Sequence, residues 1–183
     1  MMIMKKILTL YLVFILVSFI GFIYETILAV IIELENIDRG FLTLPLCPIY
    51  GFGVILTYLI LDIPINIKLF KYRFNVNRRI KFYLYFLLSA LFASILEIIV
   101  GYSFEYLFDK VLWEYSGMIL SFNKYCSLFP SICWGIVITL FMHNIFPYLY
   151  NRIIRINFEI KISFSIAITI FIFIDLLSIF LKS

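Results

Sequence analysis

Glu25 and Glu97 each sit inside a run of residues suited to hydrocarbon, and their carboxylates are the first candidates for chemistry. An acidic side chain near the bilayer centre costs about 2.5 to 3.5 kcal/mol on insertion scales, so each needs a partner, a proton or water. Arg39 follows the first run, and a guanidinium can bridge two carboxylates through separate N–H groups. The expectation is a polar centre of Glu25, Glu97 and Arg39 that contributes to a substrate or proton path. Two glutamates that face each other can share one proton. Asp175, with Ser178 one turn on, could join this centre or sit at a subunit contact. The opposing reading is that the glutamates hydrogen-bond to loop amides, Tyr50 or Trp134 and only lock loops, in a membrane protein that binds or assembles partners.

Enzyme chemistry has less support. Paired carboxylates can act as acid and base, but no nucleophile with an adjacent base, no metal-ligand cluster and no phosphate-cradling loop accompanies them. Gly51-x-Gly53 is too short for a nucleotide fingerprint and lacks the preceding strand. No cofactor is expected. No Walker sequence is present, so ATP-driven transport would need an ATPase on another polypeptide.

The elements that must position these residues follow from composition. Of 183 residues 64% are hydrophobic and only 14% charged, with mean hydropathy +1.10, whereas soluble domains carry about 25% charge. A spanning helix needs roughly 20 mostly apolar residues, and five runs qualify: Ile7 to Ile32, Cys47 to Ile63, Ile80 to Tyr106, Ser131 to Leu149 and Ile162 to Leu181. They are continuous, which excludes the alternating segments of a β-barrel. The first run is too long for a signal peptide's apolar region and lacks its small-residue end. The expected architecture is an all-α integral membrane protein of five transmembrane helices in one domain over residues 1–183, oligomeric because five short helices enclose little volume.

Basic residues set the orientation. With the N-terminus cytoplasmic, eleven of the fifteen fall inside, among them Lys5, Lys6, the group from Lys68 to Lys81, Arg152, Arg155 and Lys161. Arg39, Lys110, Lys124 and Lys182 fall outside. The positive-inside rule therefore favours N-in, C-out, in the cell membrane. The net charge of +4 is the sum of these anchors and no nucleic-acid signal. The loop from Lys68 to Lys81 reads as a contact with anionic lipid before an ATPase dock. Cys47, Cys126 and Cys133 lack metal or redox spacing; the first two fall where an oxidising compartment could join them, although small packing residues explain them better. His143 is expected near the inner end of the fourth span.

The chain also repeats itself. At an offset of 72, Ser18 meets Ala90, Gly21 meets Ala93, Glu25 meets Glu97, Ala29 meets Gly101 and Glu33 meets Glu105. These positions share one helix face, a small-residue stripe interrupted by a carboxylate. Tyr50-Gly51 then meets Trp134-Gly135 at an offset of 84, the difference being an insertion in the second outer loop. Residues 7–63 and 80–149 thus read as two parallel helix-loop-helix repeats, with 162–181 as an extra helix. Pro45, Pro48, Gly51, Gly53 and Pro130 argue against simple continuous helix in the outer loops, which should fold over or dip into the bundle.

Several of these residues carry a family resemblance. Gly21-Phe22-Ile23-Tyr24-Glu25, then Arg39-Gly40-Phe41, then Cys47-Pro48-Ile49-Tyr50-Gly51-Phe52-Gly53 resemble the CmpB-type family of ABC-transporter permeases. Leu96-Glu97, Gly101, Glu105, Trp113, Tyr115-Ser116, Asn123 and Trp134-Gly135 are similar to its later motifs. The resemblance runs from about Leu12 to Phe146 and leaves the fifth span outside. Glu114 stands where an aspartate is expected, and Lys124-Tyr125 depart from an expected glycine and basic residue, so no fixed role carries over to them. The resemblance implies a membrane location and a transport role, with a separate ATPase subunit as partner. Asn123 joins Glu25, Glu97, Arg39, Tyr50, Trp134 and Asp175 as a candidate for the substrate or proton path.

Overall fold

The computed structural model describes residues 2–31 and 42–182. Among them five helices are long and apolar enough to cross a membrane, at Met2–Ile31, Pro48–Asn66, Arg78–Phe108, Leu128–Ile154 and Phe158–Ile179. The chain is a helical multi-pass membrane protein. Its elements are α1 (Met2–Ile31), α2 (Pro48–Leu61), strands β1 (Lys68–Leu69) and β2 (Tyr72–Arg73), α3 (Arg78–Phe108), strands β3 (Ser121–Asn123) and β4 (Cys126–Ser127), α4 (Leu128–Leu140), α5 (Phe146–Ile154) and α6 (Phe158–Lys182). A π turn at Phe141–Ile145 joins α4 to α5.

Helix starts follow local chemistry rather than the edge of the apolar run. Asn77 caps α3 by accepting from the Ile80 N–H at 2.9 Å, so the helix begins at Arg78, ahead of the first apolar residue. Pro48 opens α2 and Pro130 falls in the first turn of α4. Proline there gives up an N–H that has no intrahelical partner anyway. These two prolines therefore mark helix starts. Two short antiparallel hairpins, β1 with β2 and β3 with β4, add strands that the apolar pattern did not indicate.

The chain forms two compact units. The first is Met1–Ile55 with Tyr148–Ser183, and the second is Leu56–Pro147. In the first, α1 buries Thr9, Val13, Val17, Gly21 and Ala29, a row at every fourth residue broken only at the half-buried Glu25. Tyr11 and Thr169 share a hydroxyl hydrogen bond at 2.7 Å, and the buried Lys161 donates to Thr9 Oγ1 at 3.2 Å and to the Ile154 carbonyl at 3.3 Å. The chain returns to α1 where the Cys47 N–H donates to the Ser18 carbonyl at 2.9 Å. Gly51 then lies so close to Ser18 and Phe14 that a Cβ there would strike both.

In the second unit α3 buries Tyr85, Ser89, Ala93, Glu97 and Gly101, again every fourth residue. It meets α4 through hydroxyls: Ser89 with Thr139 at 3.2 Å, and Ser94 to Ser131 at 2.7 Å, with Cys126 Sγ 3.7 Å from Ser131 Oγ. Small residues and shared hydroxyls are what hold helices together where lipid offers no hydrophobic drive. A Cβ at Gly135 would come 2.7 Å from that of Ala90 and 3.0 Å from the Phe86 ring. His143 lies in the π turn, edge-on to Phe82 at 5.6 Å.

The glycine contact makes a prediction. Gly135→Ala should destabilise the second unit by about 1 to 3 kcal/mol through overpacking, and adding Ala90→Gly should restore most of that loss. Thermal melts of the single and double variants in detergent measure both.

Candidate functional site

Each intramembrane carboxylate faces a loop or the residue that ends one. In the first unit, Gly21 leaves a slot beside α1 that the Tyr50 ring fills, and a Cβ at Gly21 would clash with that ring. One turn further on, Glu25 accepts the Tyr50 hydroxyl. Leu46 and Cys47 are buried just before this point. Burial, and then the charge of Glu25, push the Cys47 thiol up to about 11, so it is protonated at neutral pH and no nucleophile. Asp175, buried on α6, accepts the N–H of Thr43 at 2.9 Å and of Leu44 at 3.1 Å, and also the Thr43 hydroxyl. One aspartate thereby satisfies two loop amides that would otherwise need water.

In the second unit the same arrangement occurs with different residues. Gly101 leaves a slot on α3 for the Tyr125 ring. Glu105, one turn on, accepts the Tyr125 hydroxyl at 2.6 Å and pairs with Lys124, whose ammonium lies 5.3 Å from the centre of the Tyr125 ring. Asn123 turns its side-chain oxygen to the Tyr125 N–H at 2.9 Å. Trp113 Nε1 donates to the Tyr125 carbonyl at 3.3 Å, and the Tyr115 N–H to the Lys124 carbonyl at 2.8 Å. These bonds fold residues 113–126 into a compact loop and aim Tyr115 inward. The Tyr115 hydroxyl donates to Glu97 Oε1 at 3.1 Å.

Glu97 differs from the other acids. It is only 8% exposed. The Trp134 indole lies within reach of its carboxylate, yet Oε2 is buried with no hydrogen bond to any described residue. A carboxylate oxygen without a partner retains its capacity to accept one.

The family described as "Putative ABC-transporter type IV" matches residues 12–180. The chain belongs to this family. Its match extends past Phe146 and takes in α6, so the fifth span, expected to lie outside the resemblance, is part of the family's architecture. The family name points to a membrane component of an ABC transporter. No match to the chain was found among curated proteins or among solved structures.

Of the residues singled out from sequence in this family member, Glu25 meets Tyr50, Glu97 approaches Trp134, Asn123 supports Tyr125 and Asp175 holds Thr43 and Leu44. Arg39 lies outside the described residues. Tyr115 and the group Gly101, Glu105, Lys124 and Tyr125 were not anticipated. A signal for that group existed: Gly101-Tyr102-Ser103-Phe104-Glu105 repeats the Gly-aromatic-x-aromatic-Glu pattern of Gly21 to Glu25.

Two outcomes follow. Asp175→Ala should release residues 42–47, costing about 1 to 3 kcal/mol for the unsatisfied amides, seen as a lower melting temperature and faster protease cleavage in that loop. The hydrogen bond that Lys124 donates to Glu105 holds its ammonium above the usual lysine range. A raised lysine stabilises fully below its unfolded value, about 10.4, and loses that effect as pH rises through the folded one. Trp113 emission, taken as parent minus Trp113→Phe, should therefore stay constant through neutral pH and change only in the alkaline range. Lys124→Met should show the altered emission already at neutral pH.

Proposed function

We propose that this chain is the membrane-embedded permease component of an ABC transporter, and that Glu97 is the group on its substrate path. Family membership supports the transporter class. The absence of a Walker sequence supports an ATPase on a separate polypeptide. The observation that carries the assignment of Glu97 is its buried, unbonded Oε2. Glu25, Glu105 and Asp175 are committed to a tyrosine, to a lysine with a tyrosine, and to loop amides, so they act as loop seats. The N-terminus is cytoplasmic, the C-terminus lies outside, and the working form is an oligomer.

On this reading the two halves are parallel repeats, each presenting one carboxylate from the same place on its first helix. The buried rows support it: Val13, Val17, Gly21 and Ala29 match Tyr85, Ser89, Ala93 and Gly101 at the offset of 72. So do the close contacts of Gly51 with Phe14 and Ser18, and of Gly135 with Phe86 and Ala90. Glu25 with Tyr50 and Glu97 with Trp134 are then equivalent pairs.

A second reading has its own support, since three of the four acids seat loops: a membrane assembly protein whose carboxylates only hold structure. The two separate on Glu97→Gln. Membrane vesicles carrying the chain and its ATPase are energised with ATP, and accumulated solutes are identified by mass spectrometry. The expected result is a solute accumulated by the parent and lost with E97Q, whose melting temperature stays within about 2 °C of the parent, as for a change of less than about 0.5 kcal/mol. Undiminished accumulation with E97Q, or unfolding of that variant, would remove Glu97 from the path and leave the assembly reading.

A further inference from the structure

The connection between α2 and α3 and the first turn of α3 together carry six cations, Lys68, Lys71, Arg73, Arg78, Arg79 and Lys81, against one acid, Asp62. Two of the six are used locally. Lys68 pairs with Asp62 at 3.6 Å, and Lys81 donates to the Ile65 carbonyl at 3.1 Å. Lys71, Arg73, Arg78 and Arg79 are exposed and have no acidic partner among the described residues. Between these cations stand two large aromatic side chains in the open, Phe70 at 68% and Tyr72 at 69% exposure.

The β1–β2 hairpin decides where this mixture lies. Its strands pair Lys68 with Arg73 and Leu69 with Tyr72, leaving Phe70 and Lys71 as the turn. The Phe70 N–H donates to the Ile60 carbonyl at 3.0 Å, in the last turn of α2. Tyr85 of α3 donates its hydroxyl to the Asp62 carbonyl at 2.8 Å, and Leu61 and Ile67 are buried beneath. The hairpin is thus folded back against the end of a spanning helix and does not project away from it. That level is the boundary between hydrocarbon and headgroups, where aromatic rings and snorkelling cations both settle. Phe70 also holds φ 54°, a backbone conformation suited to glycine. A bulky residue in that conformation is kept there by its surroundings, here by the bond to Ile60 and the strand pairing, and its ring points outward.

We propose that the β1–β2 hairpin is a membrane-interface anchor that recognises anionic phospholipid headgroups, with Phe70 and Tyr72 inserted at the acyl boundary and Lys71, Arg73, Arg78 and Arg79 on the phosphates. The partner is a lipid surface rather than an ATPase because the exposed aromatics alternate with cations at the level of the helix end. A docking protein would instead meet a surface raised into the cytoplasm. The inference is independent of the role given to Glu97.

The experiment uses the full chain with Phe70→Trp as reporter, in nanodiscs of phosphatidylcholine alone or with added phosphatidylglycerol, each made with and without brominated acyl chains. The signal is that of F70W minus the parent, which removes Trp113 and Trp134. Quenching by brominated lipid should be several-fold stronger in the anionic discs, should fall as salt is raised, and should lose its headgroup dependence when Lys71, Arg73, Arg78 and Arg79 are all changed to Gln. Tyr72→Trp provides a second reporter should F70W fold poorly. Equal quenching with both headgroups would overturn the recognition of anionic lipid. A reporter unquenched in either disc and shielded only when an ATPase is added would assign the hairpin to a protein partner.

Discussion

The bilayer core offers no water, so every N–H, hydroxyl and carboxylate that enters it needs a partner from the chain itself. Regular helix solves this for the backbone but not for a connection that folds back toward the spans, nor for an acid within a span. In this protein the two difficulties meet each other. The loop at residues 42–47 brings amides that Asp175 accepts. The connection after α3 brings Tyr125, Lys124 and Tyr115, which Glu105 and Glu97 accept. Acids and loops are each costly in the membrane alone, and their pairing makes both tenable.

Glycine is the geometric condition for that pairing. For Tyr50 and Tyr125 the ring that carries the hydroxyl to its carboxylate lies against the helix one turn earlier, where a Cβ would stand in the way. Gly21 and Gly101 remove that obstacle. The acid one turn later then sits where the hydroxyl ends. This accounts for the pattern Gly-aromatic-x-aromatic-Glu in both places, and it makes the glycine as necessary to the lock as the two polar groups. Gly51 and Gly135 serve a different purpose, the close approach of neighbouring helices.

What sets Glu97 apart from Glu105 and Asp175 is an oxygen left with nothing to accept. Glu105 uses both oxygens and Asp175 uses both. Glu97 uses one, and its other oxygen is buried without a hydrogen bond to any described residue. The loop that supplies Tyr115 is thereby tied to this carboxylate.

Much was legible in the chain alone. Five apolar runs and scarce charge determine a helical membrane protein, because the bilayer imposes a length and a polarity that few sequences meet by accident. The buried rows were also readable, since a four-residue spacing of small residues and one carboxylate has one physical use in a membrane helix. The partners were not. Tyr115 and Tyr125 lie in a connection whose hairpin fold is set by side-chain bonds from Asn123 and Trp113, and no periodicity announces such a fold. Hence Glu105 was read as an echo of Glu33, although its own loop supplies its lysine and tyrosine. Sequence determined which residues must enter the membrane and which of them need partners; only the tertiary structure decided which partner each received, because that depends on a loop returning to one turn of a helix and on a glycine leaving room for it.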